Sequence, residues 1–154
     1  MTRTAATPPE NAHQDLSLPA SGWDLHIGRG PHLRPALEVH TGDGLVDVAV
    51  AGGRDMTLLR GALRGRRAAR PWAVAWGHLP PGAGEITVEF RARRGSRRVS
   101  ATQLAGAFWV AETPGHFRSV AVAVSPDAGA APQSATRLRR HRSGPSRQWP
   151  HSED

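Results

Sequence analysis

Two groups of side chains in this sequence have the types and spacing to do chemistry. The first is Asp24, His26, Glu38 and His40. If residues 23–27 and 36–40 pair as a hairpin turning near His32, His26 lies opposite Glu38 and Asp24 opposite His40, all on one outward face. Two imidazoles with carboxylates beside them could ligate a divalent metal through His26, Glu38 and His40, or trade protons. The same four residues also suit plain cross-strand pairing on a solvated surface. No His-Glu-x-x-His spacing accompanies them.

The second group is arginine. Arg60, Arg64, Arg66, Arg67 and Arg70 run up to Trp72, and Arg137, Arg139, Arg140 and Arg142 crowd the C-terminal region. Guanidinium groups pair bidentately with phosphate, and an exposed tryptophan stacks on bases, so these residues are candidates for nucleic-acid binding. Arg91, Arg93, Arg94, Arg97 and Arg98 could extend the positive surface. Hairpin-tip arginines also serve as solvating charge that discourages edge-to-edge pairing. Trp72 alternates with Val74 and Trp76, which places it in a core as readily as on a base.

All twenty basic residues are arginine, with no lysine, and the formal net charge is +7. Together with abundant Ala, Gly and Pro, that bias matches the codon pressure of a GC-rich genome, so arginine identity alone is weak evidence for phosphate recognition. The positive excess itself attracts nucleic acid, anionic membrane and acidic protein. Without lysine there is no Schiff base or phosphate-loop lysine, and without cysteine no thiol catalysis or disulfide. Gly-x-Ser-x-Gly and dinucleotide fingerprints are missing. These absences point away from an enzyme and towards a binding module with no cofactor.

The elements that must position these residues read as strands. Trp23, Leu25 and Ile27 alternate with polar residues, as do Leu37 and Val39. Val46, Val48 and Val50 alternate with Asp47 and Ala49. Over residues 54–71 Met56, Leu59 and Leu63 have helical spacing while Met56 and Leu58 also fit a strand; Gly61 and Gly65 weaken a helix, so the expectation is a strand over 56–60 followed by a basic loop. Beyond Pro71 come alternations at Trp72–Trp76, Ile86–Phe90, Arg98–Leu104, Ala107–Glu112 and Val120–Val124. Eight or nine short strands separated by Gly/Pro turns predict an all-β fold, an antiparallel β-sandwich (Ig-like) or a partly open barrel. The expected organisation is a disordered tail over 1–20, a β-sandwich domain over 21–125, and a disordered basic tail over 126–154. Trp109 stands on a strand whose two faces both carry large apolar groups. It is a candidate partner-binding residue if one face is open and a core residue if both are covered. Trp149 could anchor a partner near the C-terminus.

Trp76-Gly77, a Pro/Gly loop, a valine strand, a basic hairpin and then Gly106, Phe108, Trp109, Val110 and Pro114 form a sequence of features over 72–124. This resembles a small uncharacterised β-sandwich domain of GC-rich bacteria. The resemblance implies a sandwich fold and no activity. Residues 1–20 lack an apolar leader segment and no apolar run reaches membrane-spanning length, so the expected location is the cytoplasm. The functional expectation is a non-catalytic interaction module, accessory or regulatory, for an unknown protein or ligand partner. The alternatives are a nucleic-acid-binding protein and, third, a metal-dependent activity at His26, Glu38 and His40.

Overall fold

The computed structural model describes residues 14–126 and 133–141. The chain orders its strands as β1 (Asp15–Ser17), β2 (Asp24–Arg29), β3 (Pro35–Thr41), β4 (Gly44–Val50), β5 (Gly61–Arg67), β6 (Arg70–His78) and β7 (Ala83–Arg91). There follow β8 (Ser96–Ser100), β9 (Thr102–Leu104), β10 (Phe108–Pro114), β11 (Ser119–Pro126), β12 (Gln133–Arg137) and β13 (Arg139–Arg140). One short 3₁₀ turn, Pro31–Leu33, joins β2 to β3. No helix among the described residues is long and apolar enough to cross a membrane.

The strands form three open sheets, ordered β1-β2-β3-β4, β13-β5-β6-β10-β9 and β12-β11-β7-β8. The fold is all-β and sandwich-like, as the turn spacing predicts, but with an added layer. Alternation along β6 shows why. Trp72, Val74 and Trp76 belong to one buried cluster with Leu25, Leu37 and Val39 of the first sheet. Ala73 and Ala75 belong to another, with Ile86, Val88 and Phe90 of β7 and Val120, Val122 and Val124 of β11. The second sheet is therefore the middle layer, apolar on both faces, and the near-continuous apolar run of β6 is what such a strand requires. On the outer sheet, Ile86, Val88 and Phe90 lie directly opposite Val124, Val122 and Val120, so one face is a ladder of apolar pairs.

Three expectations need correction. The strand in residues 54–71 is not 56–60 but β5, and residues 51–60 are the connection leading to it. The glycines decide this. Gly61 lies opposite Trp76 and Gly65 opposite Trp72. A Cβ at Gly61 would come within 2.2 Å of the Trp76 indole, and one at Gly65 within 2.5 Å of the Trp72 indole. The two indoles lie over bare backbone, and only glycine permits that approach.

Residues 133–141 were expected in a disordered tail, yet β12 pairs antiparallel with β11 and β13 pairs parallel with β5. Leu138 between them is buried in the core, and its N–H donates to the Arg118 carbonyl at 2.9 Å. This strap passes from the third sheet to the second. One apolar side chain and edge-strand hydrogen bonds hold it, so it has no periodicity to read. At the other end β1, expected within the N-terminal tail, pairs with β2, and Leu18 is buried. The rest of those tails lies outside the described residues. The strand expected from the Val46–Val50 alternation is β4; on it Val46 and Val48 face outward while Asp47 and Ala49 turn inward, the ladder shifting register between Val39 and His40.

Candidate functional site

The β5–β6 ribbon carries the same three-residue arrangement twice. At one end Arg60 precedes Gly61, and Trp76 lies over that glycine. Four residues on, Arg64 precedes Gly65, and Trp72 lies over it. The two ends differ in what their polar groups meet.

At the Trp76 end a carboxylate fills the space. Asp47 accepts from Arg60 Nε at 2.7 Å, from Arg60 Nη2 at 3.0 Å and from Trp76 Nε1 at 2.8 Å. Arg60 Nη2 also donates to the Val48 carbonyl at 2.9 Å. Burial pushes the Asp47 carboxyl upward, but hydrogen bonds from Arg60 and Trp76 and the Arg60 charge outweigh it and hold the carboxyl below its usual value. The Asp47 hydrogen bond raises the Arg60 guanidinium in turn. Arg60 is thus committed to an internal ion pair and is withdrawn from the candidate phosphate-binding set.

Among the described residues no such acid stands at the Trp72 end. Arg64 Nη1 donates to the Phe117 carbonyl at 3.0 Å, but Arg64 Nε is buried without a hydrogen-bond partner among the described residues. Trp72 Nε1 is likewise buried and unpartnered. Both residues line a cleft of about 350 Å³ together with Arg66, His116, Arg140 and His141. A wider cleft of about 790 Å³ shares Arg64, His116 and Arg140 and adds Arg93, Arg118 and Arg137. Among the described residues, none lining either cleft is Asp or Glu.

Several elements converge to build this surface. Arg64 and Arg66 stand on β5, Arg93 in the β7–β8 turn, and His116 and Arg118 in the β10–β11 turn. The strap supplies the rest: Arg137 opposite Ser119, Arg140 alongside Arg64, and His141, whose N–H donates to the Arg64 carbonyl at 2.8 Å. The His141 ring meets those of Trp23 and Trp72 at 5.2 Å and 6.3 Å.

The other arginines singled out in the sequence fall elsewhere. Arg67 donates to the Pro19 carbonyl at 3.1 Å, and Arg70 is exposed at the β5–β6 hairpin, outside both clefts. Arg139 lines a different surface, beside Asp47, Asp55 and Arg60. Arg91 and Arg98 pair with Glu89, and Arg97 with Thr113 and the Pro114 carbonyl. Arg142 and Trp149 lie outside the described residues. Arg118, His116 and His141 went unread as site residues because their only signal is convergence in space.

Two aromatic candidates are corrected. Trp72 is 3 % exposed and in the core, so its face is closed to a base. Trp109 is 0 % exposed, with Nε1 donating to the Leu58 carbonyl at 2.7 Å. Its strand is covered on both sides, which removes it as a partner-binding residue.

The histidine cluster forms in the expected register, with Asp24 opposite His40 and His26 opposite Glu38. Its side chains do not converge on a point. His26 Nδ1 meets Asp15 at 2.7 Å, His40 Nε2 meets Glu38 at 3.3 Å, and the two imidazoles contact each other edge to face. Among the described residues no group of three or more His, Asp or Glu is arranged to hold a metal ion.

Fold and cleft together define an all-β, sandwich-like protein with an arginine-lined edge. No family model matches the sequence, and neither a curated protein nor a solved structure does.

Proposed function

We propose that this chain is a non-catalytic interaction module, at work in the cytoplasm, that holds nucleic acid by its phosphates along the arginine clefts. One observation carries the reading: six arginines from five elements line two adjoining clefts in which no described lining residue is acidic. Charges of one sign gathered without counter-charge repel each other, so such an arrangement favours a polyanionic ligand that releases its condensed counterions on binding. Among the described residues the clefts present no exposed Trp or Phe, which favours backbone contacts over base stacking, and so binding with little sequence preference.

A second reading, a protein partner, draws on a separate place. Leu45, Val46 and Val48 are exposed on β4, the edge of the first sheet, and Met56 is exposed in the following connection. Apolar groups on an open edge suit strand addition by another chain.

Fluorescence anisotropy of labelled DNA and RNA oligonucleotides with the full chain separates the two. The nucleic-acid reading expects binding that weakens steeply with salt and is weaker, with a shallower salt dependence, when Arg118 and Arg137 are both changed to Ser. Absence of binding at low salt, or equal displacement by polyglutamate at matched charge, counts against it.

A further inference from the structure

We propose that the β2–β3 turn is a docking tip for an anionic lipid surface, with Leu33 entering the acyl boundary and Arg29 and Arg34 meeting headgroup phosphates. The inference goes beyond the reading above and uses neither arginine cleft.

Leu33 is 75 % exposed, the most exposed large apolar side chain among the described residues. It also stands in the left-handed backbone region at φ 59°, directly after His32 at φ 56°. That region is unfavourable for a leucine. The β5–β6 hairpin carries a similar pair, Ala68 and Ala69, at φ 48° and 63°. There the cause is local: Arg67 pairs with Arg70, and a two-residue turn between paired strands demands positive φ at both positions. The β2–β3 turn runs from Gly30 to Arg34 between the paired Arg29 and Pro35, and that length leaves other conformations open. Nor does burial of Leu33 offset the strain. An apolar side chain held outward on a strained backbone points to a surface outside the molecule.

The tip is braced. Pro31 fixes one backbone angle. The Gly30 N–H donates to the Arg34 carbonyl at 2.7 Å, and the Arg34 N–H to the Pro31 carbonyl at 3.3 Å. Arg34 Nη1 donates to the Gly52 carbonyl at 2.9 Å, tying the turn to the connection after β4. That bond uses one of the five N–H groups of an exposed guanidinium. Leu33 is thus presented in a fixed position, and contact has little order left to impose.

The surroundings select the partner. Residues 28–35 include Arg29, His32 and Arg34, all exposed, and no acid. Guanidinium groups on aliphatic stems beside an apolar tip match the layering of an anionic bilayer, phosphates outside and acyl chains beneath. Nucleic acid offers the phosphates but little apolar surface for the leucine. A protein interface of ordinary size takes about 800 Å² from each partner, more than so short a turn presents. At a membrane, charge attraction adds to a small buried area.

The test is flotation of the chain with vesicles of phosphatidylcholine, alone or mixed with phosphatidylglycerol, in an Arg118→Ser/Arg137→Ser background that weakens the clefts. The mixed vesicles carry the chain upward and the neutral ones do not. Asparagine tolerates the left-handed backbone, so Leu33→Asn shows no loss of stability in urea. Its partition onto the mixed vesicles falls about tenfold, the loss expected for one buried leucine. Arg29→Ser lowers partition about fivefold. The sequence has no cysteine, so Leu33→Cys and Ala69→Cys each take a single environment-sensitive dye. The dye at position 33 shifts to the blue on mixed vesicles and the dye at position 69 does not. No partition, partition unchanged by Leu33→Asn, or equal blue shifts at the two positions overturns the tip. Oligonucleotide binding is measured on Leu33→Asn alone and stays at the native level, so the tip and the nucleic-acid reading fail separately.

Discussion

The two ends of the β5–β6 ribbon share a backbone and a residue pattern, yet they serve different ends. Around Gly61, Arg60 and Trp76 Nε1 converge on Asp47, which β4 brings inward. Around Gly65, Trp72 lies on one face of the sheet and Arg64 on the other, and Trp72 Nε1 and Arg64 Nε have no hydrogen-bond partner among the described residues. The first arrangement spends its polar groups on joining the outer sheet to the middle one. The second withholds them.

The steric half of this comparison should give the largest effects. Gly61→Ala and Gly65→Ala each force a methyl group into an indole, at 2.2 Å and 2.5 Å from its nearest atom. Urea denaturation should show losses of about 3 kcal/mol for the first and slightly less for the second, near the upper end of overpacking costs. Equal and small losses would mean that the rings do not lie over the strand.

Removing the indole N–H should separate the ends. Trp76→Phe breaks a hydrogen bond to a carboxylate and leaves Asp47 short of a donor, a further cost of about 2 kcal/mol beyond lost packing. Trp72→Phe breaks none and should cost packing alone. Comparable losses from both variants would contradict the asymmetry.

Asp47→Asn should cost about 1–2 kcal/mol at neutral pH, since the pair with Arg60 is only partly shielded from water. Its pH dependence has a definite sign. The folded protein holds the Asp47 carboxyl below its usual value, so the stabilisation is complete above the unfolded pKa of about 4 and fades as pH falls through the lower folded value. Acid titration of thermal stability should show that component in the native protein and lack it in Asp47→Asn.

The smallest effect belongs to Arg64→Met. It removes an unmet donor along with the bond to the Phe117 carbonyl, and the net change should stay within about 1 kcal/mol in either direction. Its binding phenotype should be far larger than its stability phenotype.

Much of the strand content was legible because period-2 alternation follows from a half-buried strand, as at Ile86–Phe90 and Val120–Val124. The His26–Glu38 register was legible for the same reason, since apolar partners fix which face turns inward. Residues 54–71 misled because Gly61 and Gly65 look like breaks until their tryptophan partners are known. Asp47 misled because inward acids beside outward valines invert the usual pattern, and only a paired arginine and indole make that stable. Half of the cleft was present in the sequence as arginine runs. Its assembly from β5, two turns and a strap without periodicity depends on contacts between residues 64, 93, 118 and 137, which no local pattern encodes.

The most direct test of the arginine cleft is the salt dependence of duplex DNA binding, measured for the native chain and for Arg118→Ser/Arg137→Ser. Each phosphate contact contributes about 0.9 to the slope of log K against log salt. If the cleft is the binding face, the native slope is steep and the variant's is shallower by about 1.8. An identical slope in the two proteins would place the contacts elsewhere and contradict the account.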